Sequence, residues 1–327
     1  MRVGLLGLGR IGAFHAATLA AHPEVTELVV SDAYGERAAE VAARVGAVAG
    51  DAFDADAIVV ATPTSTHAEL ILKACAAGIP VFCEKPVAPT LEETARVVEA
   101  AKDGGTLVHI GFQRRFDAGY TAARAALRSG EVGDLHRVHM LTADPRPPAA
   151  EYIPLSGGIF RDCHIHDFDI LRWVTGREVE SVFATGANRG AAFFAEAGDV
   201  DTSAALLTLD DGTLVTMQGS RYNGAGYDVR MELAGTRCTM AVGLDERVPL
   251  TSAEAAVDFP KGEPWPDFGA RFEAAYIAEI GAFLAAVRDR GPSPCTAEDA
   301  LAALRIAEAA ELSRRTGRPA RVAEVTA

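Results

Sequence analysis

Two places in this sequence gather side chains able to move protons or stabilise charge. One is CEKP (83–86), where Lys85 stands between a short apolar run and a proline. A cation held there can stabilise an oxygen that turns negative during a reaction. The other is GGIFRDCHIHDFDILRWV (157–174), which packs Asp162, His164, His166, Asp167 and Asp169 into eight positions. If 161–175 is helical, Asp162, His166 and Asp169 at i, i+4 and i+7 share one face, Ile165, Phe168 and Leu171 lie opposite, and His164 and Asp167 point elsewhere. A histidine between two carboxylates could be a general base that handles a hydroxyl proton. The same residue types could ligate a metal, although two histidines two positions apart diverge on a helix. Asp162 could also simply cap the helix while His166 packs in the core. The residues alone leave the three readings open.

The elements that must position these groups fall into two patterns. From residue 1 to about 111, short apolar runs (RVGLLGL, ELVVSD, AIVVAT, PVFCEK, TLVHIGF) alternate with helical segments, which predicts a parallel sheet with crossover helices. Its first turn, GLGRIG, places Gly7, Gly9 and Gly12 between a strand and a helix, with Arg10 and Ile11 opening that helix. Such a turn brings backbone amides to a pyrophosphate, and Asp32 at the end of the second strand is placed to bind the adenosine ribose hydroxyls. This predicts a doubly wound, Rossmann-type domain that takes a dinucleotide. The carboxylate at Asp32 disfavours a 2′-phosphate, so NAD is expected over NADP. Thr62, Pro63 and His67 in ATPTSTH (61–67), together with Glu84 and Lys85, follow the fourth and fifth strands. They lie at the carboxyl edge where open α/β sheets hold ligands.

After about 118 the runs lengthen and alternate (136–143, 181–187, 203–222, 228–243), with DDGT and LAGT marking two hairpins. This predicts an α+β domain on a mostly antiparallel, open-faced sheet, closed by two helical segments around 272–289 and 297–315. The expected division is residues 1–118 for the cofactor and 119–327 for substrate binding and self-association. Leu206, Leu207, Leu214, Val215 and Met217 are expected to offer an apolar face for a homodimer or homotetramer.

Composition narrows the classes further. Five scattered cysteines argue against a disulfide framework or zinc ribbon. A formal charge of -14 argues against nucleic acid as a partner, and no apolar run is long enough to cross a bilayer, so a cytoplasmic enzyme is expected.

In their order, GLGRIG, ATPTSTH, CEKP, GFQRRFD (111–117), the HDFD run and GYDVRMELAG (226–235) resemble the Gfo/Idh/MocA family of NAD(P)-dependent oxidoreductases over nearly the whole chain. The resemblance implies that Lys85 is the catalytic lysine, that Thr62 and Pro63 lie beside the nicotinamide, and that Lys85-Pro86 is a cis peptide. It also implies that Asp162 and His166, as Asp-x-x-x-His, act opposite the lysine. The wording of 156–176 is similar to the inositol-oxidising branch, which implies oxidation of a cyclic polyol, myo-inositol to 2-keto-myo-inositol. Gln113 departs from the Asn or Met of that branch. Around the substrate, Gln113, Arg114, Asp144, Tyr152, Asp162, His166 and Tyr227 are the expected contacts, because each desolvated hydroxyl needs a partner. A sugar or amino-sugar dehydrogenase, an NAD-dependent glycoside hydrolase and a silent NAD-binding regulator are the alternatives.

Overall fold

The computed structural model describes residues 1–326, which form two compact units. The first opens with β1 (Arg2–Leu6), α1 (Arg10–Ala21), β2 (Glu27–Ser31), α2 (Gly35–Val45) and β3 (Val48–Ala49). It continues through β4 (Ala57–Val60), α3 (His67–Ala77), β5 (Val81–Glu84), α4 (Leu91–Gly104) and β6 (Val108–Gly111). The six strands pair in parallel in the order β3-β2-β1-β4-β5-β6. The order reverses between β1 and β4, which leaves the ligand crevice of a doubly wound fold beyond the carboxyl ends of those strands. Every residue of β4 and β6 is buried, as strands covered by helices on both faces must be.

In the second unit come α5 (Ala118–Ser129), β7 (Leu135–Ala143), α6 (Ile153–Ser156), α7 (Ile159–Asp162), α8 (Ile165–Thr175), β8 (Val179–Ala187) and α9 (Phe193–Glu196). Then follow β9 (Thr202–Leu209), β10 (Leu214–Ser220), β11 (Asp228–Gly235) and β12 (Thr239–Val242). Helices α10 (Phe268–Asp289) and α11 (Ala297–Thr316) and the short β13 (Ala320–Arg321) close the chain. The seven-stranded sheet runs β12-β11-β7-β10-β9-β8-β13 and is antiparallel throughout except between β7 and β10. Both expected hairpins form, β9 with β10 across DDGT and β11 with β12 across LAGT.

Two expectations are corrected. A single cut after 118 does not divide the chain: the first unit ends at Gln113 and takes back residues 276–302. The reason is packing, since Ile280, Phe283 and Leu284 of α10 sit fully buried in one apolar cluster with Val3, Leu5, Val30, Val59 and Phe82. An amphipathic stripe records that a helix needs a sheet, not which sheet it covers. The open face of the larger sheet is also smaller than expected. Leu206 and Leu214 are 57% and 60% exposed, whereas Leu207, Val215 and Met217 are each 1% exposed and point into the core. Successive strand residues face opposite ways, so Leu206 and Leu207 cannot share a face. Phe183, opposite Leu206 across the ladder, joins the exposed row instead.

Among the described residues no helix is long and apolar enough to cross a membrane.

Candidate active site

The turn after β1 is built for a close backbone approach. Gly7 has φ 87°, a left-handed value that side chains resist, and a Cβ there would meet Ala61 O and Thr62 N at 2.6 Å. A Cβ on Gly12 would strike Gly7 O at 1.9 Å, so α1 packs against the turn only with glycine at that position. At Gly9 a Cβ would meet nothing within 4 Å, so this side of the turn is open where a phosphate would approach. Gly9 caps α1 without a side-chain hydrogen bond, and Arg10 and Ile11 form its first turn, where amides point outward.

Asp32 fixes this turn to the second strand. Its carboxylate accepts the Leu8 amide at 2.8 Å and the Tyr34 amide at 2.9 Å, and Arg37 Nη1 approaches to 3.5 Å. Burial pushes the Asp32 carboxyl up, but the Tyr34 and Leu8 amides and Arg37 outweigh it and hold it below the usual carboxylate range. An ionised carboxylate at the end of β2 suits a ribose diol and repels a phosphate. These residues therefore fit NAD, which when bound supplies a nicotinamide able to take up a hydride. Asp32→Ala should weaken NAD binding about 10- to 100-fold, the usual worth of a charged hydrogen bond, and NADP binding less. Parallel titrations of the two reduced cofactors read this as a narrowed preference; an unchanged ratio removes Asp32 from cofactor selection.

Thr62 and Pro63 lie beyond β4, and Glu84 ends β5 with Lys85 next. Thr62 Oγ1 pairs with Thr66 Oγ1 at 2.7 Å and Thr66 Oγ1 donates to Pro63 O at 2.9 Å, which stiffens the first loop. The Lys85-Pro86 peptide is cis, and Lys85 is partly buried. His67, expected as a cofactor contact, is 1% exposed. Its Nδ1 lies 2.7 Å from Pro86 O and its Nε2 2.7 Å from Thr62 O, so both ring nitrogens are taken. The buried ring lies between the two loops, within hydrogen-bond distance of a carbonyl of each. Gln113, 3% exposed, holds a buried amide oxygen without a hydrogen-bond partner, an acceptor left over at the end of this unit.

In the second unit the 157–174 run is not one helix. It breaks at Cys163 and His164 between α7 and α8, so Asp162 ends one helix and His166 lies in the first turn of the next. Asp162 Oδ1 accepts the Tyr152 hydroxyl at 2.9 Å and Oδ2 accepts Arg221 Nη2 at 2.6 Å. Arg221 also donates to Asp144 Oδ2 at 3.1 Å. Burial raises the Asp144 carboxyl despite the Arg221 guanidinium, and Asp162 adds to the rise. Burial and the neighbouring Asp162 likewise raise the Tyr152 phenol, keeping it a donor. Tyr227, 6% exposed, is raised by burial too, against the pull of Arg114. His166 is half-buried.

The other acidic residues of the run serve the scaffold. His164 is 1% exposed, its Nδ1 on Asp167 Oδ2 and its Nε2 on Ser203 Oγ, both at 2.8 Å, which removes it as a metal ligand. Asp167 also accepts Thr142 Oγ1 at 2.8 Å and is ion-paired with Arg114. Burial opposes the Asp167 charge, but Arg114 and His164 keep the carboxyl below its ordinary range. Arg114, expected at the substrate, is therefore a core residue, 2% exposed with its charge spent on Asp167. Asp169 is likewise not on a shared catalytic face: it is fully buried and takes both Nε and Nη2 of Arg115. Two buried ion pairs thus pin α8, the helix that carries His166.

Sequence reasoning missed Arg221. No motif marks it, but two carboxylates as enclosed as Asp144 and Asp162 require a cation, and the end of a strand beside them supplies it.

Residues 1–112 match the family model described as an oxidoreductase family with an NAD-binding Rossmann fold, and residues 120–241 match the GFO/IDH/MocA C-terminal domain. The chain belongs to the Gfo/Idh/MocA oxidoreductase family. Within that family, it is 36% identical over 317 residues to an inositol 2-dehydrogenase of Rhizobium meliloti, covering 95% of this chain and 96% of the relative. It is 36% identical over 332 residues to a scyllo-inositol 2-dehydrogenase (NAD(+)) of Bacillus subtilis, covering 98% and 95%. The crystal structure of a myo-inositol dehydrogenase from Corynebacterium glutamicum superposes with a TM-score of 0.89 at 36% identity, covering 98% of each chain. The cis peptide that the Gfo/Idh/MocA resemblance implied at Lys85-Pro86 is present.

Proposed function

We infer that this oxidoreductase is an NAD-dependent inositol 2-dehydrogenase that oxidises a secondary hydroxyl of a cyclic polyol to a ketone. One observation carries the reading: Asp162, gripped by Tyr152 and Arg221, stands four residues before a half-buried His166 on the scaffold of the second unit. Around them Asp144 and Tyr227 complete a set of fixed donors and acceptors, which suits a molecule made of hydroxyls.

In this mechanism His166 accepts the proton of the hydroxyl being oxidised. The ammonium of Lys85 stabilises the negative charge that develops on that oxygen. Asp162 accepts a hydrogen bond from the substrate and, through Arg221 and Tyr152, keeps its orientation during the reaction. Gln113, with its unpartnered oxygen, accepts from a further hydroxyl.

The 36% relationships to enzymes named for inositol and for scyllo-inositol support the substrate class and leave the isomer to experiment. Purified protein with NAD and a panel of myo-inositol, scyllo-inositol and aldoses should form NADH with an inositol. NADH from aldoses alone overturns the inositol reading in favour of a sugar dehydrogenase. Cleavage of aryl glycosides without net NADH overturns it in favour of a hydrolase.

The exposed row formed by Phe183, Leu206 and Leu214 on the open sheet favours association of copies of this chain through that face, as a dimer or tetramer.

A further inference from the structure

Lys85 has a fixed neighbour on each side. On its carboxyl side Pro86 O lies 2.7 Å from Nδ1 of His67, whose Nε2 lies 2.7 Å from Thr62 O. On its amino side Glu84 Oε1 lies 2.7 Å from Nε2 of His15, a residue of α1. A carboxylate only accepts, so this contact is the Nε2–H of His15 donating. The imidazole is 0% exposed, its Nδ1 is without a partner, and Phe82 and Tyr276 enclose it with ring centroids at 5.5 and 6.2 Å. A polar ring buried in an aromatic cage, with a single hydrogen bond, is costly unless that bond is needed. The same helix begins at the glycine turn that would receive the cofactor's pyrophosphate.

We propose that His15 is a positioning residue for Lys85: through Glu84 it locks the lysine's strand end to the helix that carries the dinucleotide cradle. The ladder with β6 holds the Glu84 backbone, and His15 adds the tie from the Glu84 side chain across to α1. The ammonium is thereby registered against the phosphate-binding turn, and so against whatever that turn holds. A displacement of about 1 Å in a charge-stabilising group can cost about 10²-fold in rate.

This inference rests on the role given to Lys85 above. The test compares His15→Gln, whose amide nitrogen falls near the Nε2 position and keeps the donor, with His15→Asn, whose nitrogen falls near Nδ1 and does not. The expected result is a kcat for inositol oxidation about 10- to 10²-fold lower in the Asn variant, with kcat largely retained in the Gln variant. NADH affinity, read by fluorescence titration, should be unchanged in both. Equal kcat in the two variants, at either a wild-type or a lowered level, overturns the proposal. So does a loss of NADH affinity in step with kcat, which would place His15 in the cradle itself. If the Asn variant does not fold, His15→Met, which fills the ring's space without a donor, replaces it. Lys85→Ala is assayed alongside: an active enzyme sinks both the lysine assignment and this one, whereas an inactive one leaves the His15 comparison to decide this one alone.

Discussion

His166→Ala should lower kcat for inositol oxidation by about 10² to 10⁴-fold, the usual contribution of a positioned general base. His166 is the histidine of its run that suits this role, because His164 is sealed between Asp167 and Ser203. The helix that carries His166 is pinned by the Arg115–Asp169 and Arg114–Asp167 pairs, so truncation at Cβ leaves the scaffold intact. The variant should therefore unfold at the wild-type temperature and bind NADH as before. Its pH profile offers a second check. A base must be unprotonated to work, so the wild-type rate should fall towards acid, and the variant's residual rate should lose that limb. Near-normal turnover in His166→Ala would remove it from the mechanism.

Lys85→Ala should lower kcat by about 10² to 10³-fold, as expected when a donor aimed at a developing oxyanion is lost. The lysine directly follows β5, a strand whose Val81, Phe82 and Cys83 are fully buried. That setting fixes the backbone while the side chain alone is removed. NADH binding should persist, because the glycine turn and Asp32 hold the other end of the dinucleotide. Steady-state assays with saturating NAD check the rate, and a variant within a few-fold of wild type would rule out the lysine as the stabilising cation.

Much of the first unit was legible because its signals are local. Gly7, Gly9, Gly12 and Asp32 act through backbone geometry and through a position at a strand end, both of which the order of residues records. The hairpins at DDGT and LAGT were legible for the same reason. The rest depends on partners far away in the chain. The break at Cys163 and His164 put Asp162 on a different helix from His166 and Asp169, and no proline or glycine announced it. The spacing of Asp162 and His166 is a local signal, but Arg221, fifty-nine residues beyond Asp162, gives none, since an ion pair leaves no trace in spacing. Arg114 and His67 have the residue types of ligand contacts, and only burial identified them as supports. Among Leu206, Leu207, Leu214, Val215 and Met217, hydrophobicity was read correctly and parity was not.

The return of residues 276–302 to the first unit bears on how the protein is made. Synthesis delivers the parallel sheet first, yet Ile280, Phe283 and Leu284, which seal its apolar cluster, leave the ribosome only when most of the chain is already outside. Until then the nascent sheet carries a bare greasy flank, a state in which chaperones and neighbouring chains compete for it. The nucleotide half is thus begun first and completed late.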